Sequence, residues 1–385
     1  MGNMLLSFLS HDYSGLVIAA LILALGVAGF VLLKRRVLRW FFGAVVLTAL
    51  VLGGGAVSHL VRISSIDSRF PPPGRMVDVG GHAIHILAEG PRGGPAIVWF
   101  GGGHSGGLAA YDLHRRIRGE ARSILIDRPG TGWSDAGPFP RTTAGEVEEV
   151  MRALAAAGET GPFVFVGHSF GGLLAANIAR RHPRQTAALV LLDATPLDVV
   201  LYGADKKGMG ALGERAFFEG LRRIFGFYRS SGPGGRGSIE ADPSGASRLL
   251  DTHARASFAE ASIYAELAAA GLVGRAWDTM VYDGELGDMP LYLVAPRADD
   301  SIAPYAEGVV GPGPAARRFE RFLFRARERY MAASSRSRRV YAPAGTHHNF
   351  PAEAPGFVVQ TLRGVLADLA GAAGDTVEPP SGRQE

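Results

Sequence analysis

The chain has no cysteine among its 385 residues. That excludes a disulfide framework, a thiolate nucleophile and thiolate metal sites. Lysine is nearly absent as well, occurring only at 34, 206 and 207, so the basic charge is almost all arginine. Lys and Arg number 40 against 36 Asp and Glu, a formal net charge of +4. No stripe of basic and aromatic residues accompanies this small excess, so nucleic acid is not an expected partner. The arginine content reads as a compositional bias shared with alanine and glycine. Charge itself is missing from two long stretches, residues 14–33 and 40–60.

Those stretches are strongly apolar. Twenty helical residues span about 30 Å, the thickness of a hydrocarbon core. Lys34, Arg35, Arg36 and Arg39 lie between them, too basic to sit in hydrocarbon. The pattern predicts a membrane hairpin, with spans at about 14–33 and 40–60 inside an anchor of residues 1–62. A signal peptide fits less well, because the basic cluster follows the apolar run and no A-x-A site comes after it. Basic residues in short loops favour the cytoplasm. The expected location is therefore the cell membrane, with two spans and the domain that follows them extracytoplasmic. The lipid bilayer is an expected partner through these helices. Pro71, Pro72, Pro73 and Gly74 make the stiff end of a linker over 63–75.

From residue 76 the pattern alternates. Residues 76–79 and 83–89 read as a hairpin. Short buried strands are expected at 96–100, 123–127, 163–166, 188–193, 290–294 and 339–342. Helical spacing fills 142–157, 173–179, 315–332 and 355–369, with Glu146, Glu148 and Glu149 expected on a solvated face. Alternating strands and helices predict an α/β fold with a mostly parallel sheet. Residues 195–289 carry no strand pattern. Helices are expected there at 211–227 and 256–272, around a Gly-, Ser- and Pro-rich loop at 230–247.

Gly167-His168-Ser169-Phe170-Gly171-Gly172 joins one of these strands to a helix. A serine on a strained strand-to-helix turn needs glycine neighbours. The turn would expose the Ser169 hydroxyl and aim the Phe170 N–H at a developing oxyanion. The loop Gly101-Gly102-Gly103 follows the 96–100 strand and lacks the G-K-[ST] of a phosphate loop. It suits a second oxyanion donor, assigned to Gly102.

Three segments carry a resemblance. Asp127–Asp135 reads D-R-P-G-T-G-W-S-D, 167–172 reads G-H-S-F-G-G, and 191–196 reads L-L-D-A-T-P. Over residues 76–370 the chain resembles the α/β-hydrolase superfamily, in particular its membrane-anchored bacterial serine-hydrolase branch. The resemblance implies a helical cap at about 195–289 and a Ser-Asp-His triad in that chain order. It places the acid in the loop after the 290–294 strand, selecting Asp300, with Asp299 as neighbour and Asp193 as a further candidate. It places the histidine at His348, with His347 as competitor. Residues 371–385 are expected to form a disordered tail.

The implied activity is hydrolysis of an ester, as in a carboxylesterase or lipase-like enzyme, through an acyl-enzyme and without cofactor or metal. The expected substrate is a small, apolar ester. Ser169 argues against epoxide opening and halide displacement, for which the relatives use aspartate at this turn. An amidase or aminopeptidase is the alternative on the same fold. A non-catalytic, membrane-tethered binding protein is the alternative from another class.

Overall fold

The computed structural model describes residues 2–103, 105–195, 206–228, 243–273, 284–297 and 313–374. It begins with three helices: α1 (Gly2–Leu9), α2 (Ser14–Leu32) and α3 (Arg36–Arg69). Helices α2 and α3 form an antiparallel pair packed through small residues. A side chain at Gly29 would collide with the Phe42 ring, and one at Gly26 would meet Val45 and Val46. Close approach of this kind is how apolar helices gain contact when no water drives them together. Both helices are long and apolar enough to cross a membrane, and little of either is buried. At 34 residues α3 would measure about 51 Å, well beyond a bilayer core. It continues through 63–69, which the sequence reading gave to the linker, and only 70–74 remain extended or turned.

Among the described residues the sheet has eight strands: β1 (Arg75–Asp78), β2 (Ala83–Glu89), β3 (Ala96–Phe100), β4 (Ser123–Ile126), β5 (Phe163–His168), β6 (Thr186–Leu192), β7 (Leu291–Ala295) and β8 (Ser337–Tyr341). Their order is β1-β2-β4-β3-β5-β6-β7-β8. Strands β1 and β2 pair antiparallel, as do β2 and β4, and every other pairing is parallel. Strands β3, β4 and β7 are buried along their whole length, as continuous apolar runs in a sheet covered on both faces must be.

One face packs against α5 (Thr143–Ala156) and α6 (Phe170–Arg181), the other against α4 (Tyr111–Ile117) and the C-terminal α12 (Pro355–Gly374). The cap contributes α7 (Lys206–Ile224), α8 (Pro243–Leu250) and α9 (Ala254–Val273). Helix α8 takes up the end of the segment read as a loop, while 229–242 lies outside the described residues. After β7 come α10 (Pro314–Ala332) and, behind β8, the short α11 (Phe350–Glu353). Residues 375–385, most of the expected tail, also lie outside the described residues.

One face was misjudged from sequence. Glu146 and Glu149 are buried, not solvated. Arg128 lies 3.6 Å from Glu146, and Arg141 holds both carboxylate oxygens of Glu149. Burial pushes the Glu146 carboxyl up, against the pull of Arg128 and Arg141.

Candidate active site

Ser169 stands between β5 and α6 with φ 51° and ψ −123°. This is left-handed backbone, costly for any residue with a Cβ. The surroundings hold it there. Its N–H donates to the Leu192 carbonyl at 3.1 Å, and its own carbonyl accepts from Gly172 and Thr195. The flanking glycines are required by contact. A Cβ at Gly171 would come within 2.5 Å of the Phe100 and Gly101 carbonyl oxygens. One at Gly167 would strike the Gly171 backbone, and one at Gly172 would strike Ala194.

His348, in the turn before α11, faces this serine. Its Nε2 is 3.0 Å from Ser169 Oγ, and its Nδ1 is 2.7 Å from Asp193 Oδ2. Asp193 directly follows β6, with φ 45°, and is 2% exposed. Its N–H donates to the Val294 carbonyl on β7, which fixes the bend. Its second oxygen, Oδ1, lies 2.6 Å from Arg327 Nη1 on α10. Burial alone would raise the Asp193 carboxyl; Arg327, His348 and His168 outweigh it and hold the group below its ordinary value.

Of the two competing histidines, His348 is the one placed against Ser169. His347 is half exposed and turned toward Glu353, 3.6 Å away. Among the described aspartates, Asp193, the further candidate named from sequence, reaches His348. Asp299 and Asp300, the expected acid, lie outside the described residues.

Gly102 is close to Ser169, where a second oxyanion donor would have to be. A Cβ there would lie 3.0 Å from Ser169 Cβ and 2.9 Å from His168 Nδ1. The Gly102 carbonyl is tied back by Ser105 Oγ at 2.6 Å, which fixes this peptide. Phe170 opens α6, where the first N–H groups have no intrahelical acceptor and the helix dipole favours negative charge.

The turn 127–135 backs this machinery and does not line the cavity. Arg128 is buried beneath it, donating to the Gly103 carbonyl and lying 5.1 Å from the centre of the Phe170 ring.

Sequence reasoning missed two residues. One is Arg327 of α10, which reaches Asp193. It lies four positions after Leu323 and three before Tyr330, and that apolar spacing was a usable signal. The other is His168, whose Nε2–H donates to the His348 carbonyl at 2.8 Å. Burial, then the neighbouring His348, pushes His168 down to about 4, so its ring is neutral near pH 7. Only its place beside the serine pointed to it.

Beside Ser169 opens a cavity of about 590 Å³. Trp99, Phe100, Leu113, Val166, Leu192 and Pro351 give it apolar walls, and Gly102, Ser169 and His348 stand at its polar end. Such a space accepts a small molecule with an apolar arm and one polar reacting group.

The family described as the alpha/beta hydrolase fold matches residues 95–222. An uncharacterized protein of Bacillus subtilis is 26% identical over 195 residues, covering 49% of this chain and 58% of that protein. A pimeloyl-[acyl-carrier protein] methyl ester esterase of Xylella fastidiosa is 38% identical over 105 residues, covering 27% of this chain and 38% of the enzyme. The chain therefore spans less than two thirds of these relatives' lengths. Among solved structures, a putative ancestral haloalkane dehalogenase superposes with a TM-score of 0.55, over 77% of this chain and 99% of the other. At 15% identity that likeness establishes the fold alone. Eight strands in this order among the described residues, the turn after β5 and the family match over residues 95–222 together give the chain the α/β-hydrolase fold.

Proposed function

We propose that this protein is a serine hydrolase that cleaves a small, apolar carboxylic ester. One observation carries the reading: Ser169 Oγ, His348 and the buried Asp193 stand in a continuous hydrogen-bonded line, with the serine on a strained elbow. In this reading His348 Nε2 accepts the Ser169 proton as Oγ attacks the ester carbonyl. Asp193 receives the Nδ1–H bond, holds the tautomer and stabilises the imidazolium. The N–H groups of Gly102 and Phe170 hold the oxyanion. His348 then gives the proton to the leaving alcohol, and water releases the acyl group by the same steps reversed. The ester-cleaving relative and the apolar cavity favour an ester over an amide. The chain sits in the cell membrane by α2 and α3, with the catalytic domain extracytoplasmic.

A fluorophosphonate probe on the intact protein tests the reading. Labelling should occur at Ser169 and disappear in Ser169→Ala, and a folded protein that takes no label would sink it. Asp193→Asn should lower kcat for p-nitrophenyl esters by about 10³–10⁴-fold, as loss of a triad acid does. If Asp193→Asn retains most of the activity while Asp300→Asn loses it, the acid is Asp300. Faster turnover of acyl-anilides than of esters would favour the amidase alternative.

A further inference from the structure

Outside α2 and α3, large apolar side chains left in the open are few among the described residues, and they cluster. Met4 and Leu5 of α1 are 81% and 52% exposed, and Phe218 of α7 is 61% exposed. Tyr13, Leu212 and Phe227 belong to the same two regions, and only Met76 and Tyr341 lie elsewhere.

These regions meet the helical hairpin at one level. A Cβ at Gly15 would strike the Ile224 carbonyl, and one at Gly55 would strike the Phe225 carbonyl. Gly226, at φ 73°, rests against Gly55 in turn. The end of α7 is thus seated on α2 and α3 beside Gly15 and Gly55. Those glycines lie within about two turns of the ends of the charge-free runs, where a bilayer would end. Helix α1 is held at the same place. Its Leu9 packs with Ile224, Ala254 and Phe258, joined by Leu6 and Phe8.

A polar knot fixes the level further. Asp12, between α1 and α2, accepts from the Ala254 N–H at 2.7 Å. It also meets His253 at 2.7 Å and His59 of α3 at 2.9 Å. Helix α7 carries five basic residues against two acidic ones. An exposed apolar face with a basic excess is the composition of a helix lying at an anionic lipid surface.

We propose that α1, α7 and Phe227 form a bilayer-facing surface, so that the cap lies on the lipid headgroups. Met4, Leu5, Phe218 and Phe227 enter the acyl boundary, and the exposed Arg215 of α7 reaches the phosphates. The occupant is lipid because the patch continues directly from the ends of α2 and α3. This rests on reading those helices as membrane spans.

The absence of cysteine supplies the test. Phe218→Cys and Phe227→Cys each create a single thiol in the full chain, to be labelled with a nitrobenzoxadiazole fluorophore. Each protein is reconstituted in phosphatidylcholine–phosphatidylglycerol vesicles, with and without bromines near the top of the acyl chains. Leu25→Cys in α2 and Tyr341→Cys on β8 are the references. The proposal expects quenching of about twofold or more at 218 and 227, strong quenching at 25 and none at 341. Quenching at 25 without quenching at 218 and 227 overturns the proposal and leaves the anchor intact. A blue-shifted but unquenched signal at 218 means a protein covers the patch, which also overturns it. No quenching at 25 removes the membrane reading and this proposal with it. None of these outcomes bears on the hydrolase chemistry.

Discussion

Arg327 has the most to say at the scale of single residues. It occupies Oδ1 of Asp193 while His348 occupies Oδ2, so one buried carboxylate has a partner for each oxygen. A buried anion left half paired is costly and drifts toward protonation. In Arg327→Met the remaining charge of Asp193 would act on the imidazolium alone and hold its proton more tightly. The acidic limb of kcat/KM should therefore move to higher pH, with a plateau about tenfold lower. Arg327→Lys, keeping the charge, should bring the limb most of the way back. A Met variant that is less stable but has an unchanged pH profile would reduce Arg327 to a packing role. Much of the site itself was legible. Ser169 and Gly102 sit on local signals, a glycine-bracketed serine and a glycine run after a strand. The acid stayed divided among Asp300, Asp299 and Asp193, because which carboxylate reaches a histidine depends on where β6 and β7 end relative to each other. No spacing within one segment encodes that.

At the scale of elements, the strands and their parallel order follow from continuous apolar runs, and these were readable. The faces of helices were less so. Glu146 and Glu149 looked solvated because their partners, Arg128 and Arg141, come from another segment. The joint between cap and core is built in the same way, from long-range polar contacts. Asp251, between α8 and α9, accepts from the Gly132 N–H at 2.7 Å, and Arg255 donates to the carbonyls of Gly132 and Ser134. Burial, reinforced by the charge of Asp127, pushes Asp251 up to about 7. An unfolded aspartate titrates near 4. Between about pH 4 and pH 7 the folded state therefore holds a proton that the unfolded state has released. Stability must fall as pH rises through that window. Asp251→Asn removes the titration, so its unfolding free energy should lose this pH dependence. The difference from wild type should grow toward neutral pH, on the order of a few kcal/mol. Thermal melts of both proteins from pH 4 to pH 8 would show it, and parallel curves would refute it.

At the scale of the whole molecule, the N-terminal helices are part of the cap's packing. The far end of α3 places Ile63 and Ile66 against Leu250, with Phe70, Trp133 and Leu249 beside them. The Phe70 carbonyl accepts from Trp133 Nε1 at 2.8 Å, joining the anchor to the turn behind the elbow. His253 bonds Asp12 through one ring nitrogen and Asp67 of α3 through the other, at 3.0 Å. Helix α1, α3 and the cap are thereby fastened at one point. The sequence announced two spans and a linker, but it could not announce this docking. The apolar residues that make it are indistinguishable, in composition, from those left exposed on α2 and α3. Removing residues 1–69 should therefore do more than solubilise the domain. It uncovers Ile224, Leu250, Ala254 and Phe258, and leaves His253 without either carboxylate. Local opening follows the loss of such contacts, and about 1.4 kcal/mol of lost packing is a factor of ten in the opening constant. Backbone amides of 217–225 and 250–258 should exchange at least about tenfold faster in the truncated protein, while β3, β5 and β6 keep their protection. Because Asp251 ties this region to the turn under Arg128, the same truncation should lower kcat/KM for a water-soluble ester, although no residue lining the cavity has been removed. Equal exchange in the cap of both proteins would show that the helices are a tether and nothing more.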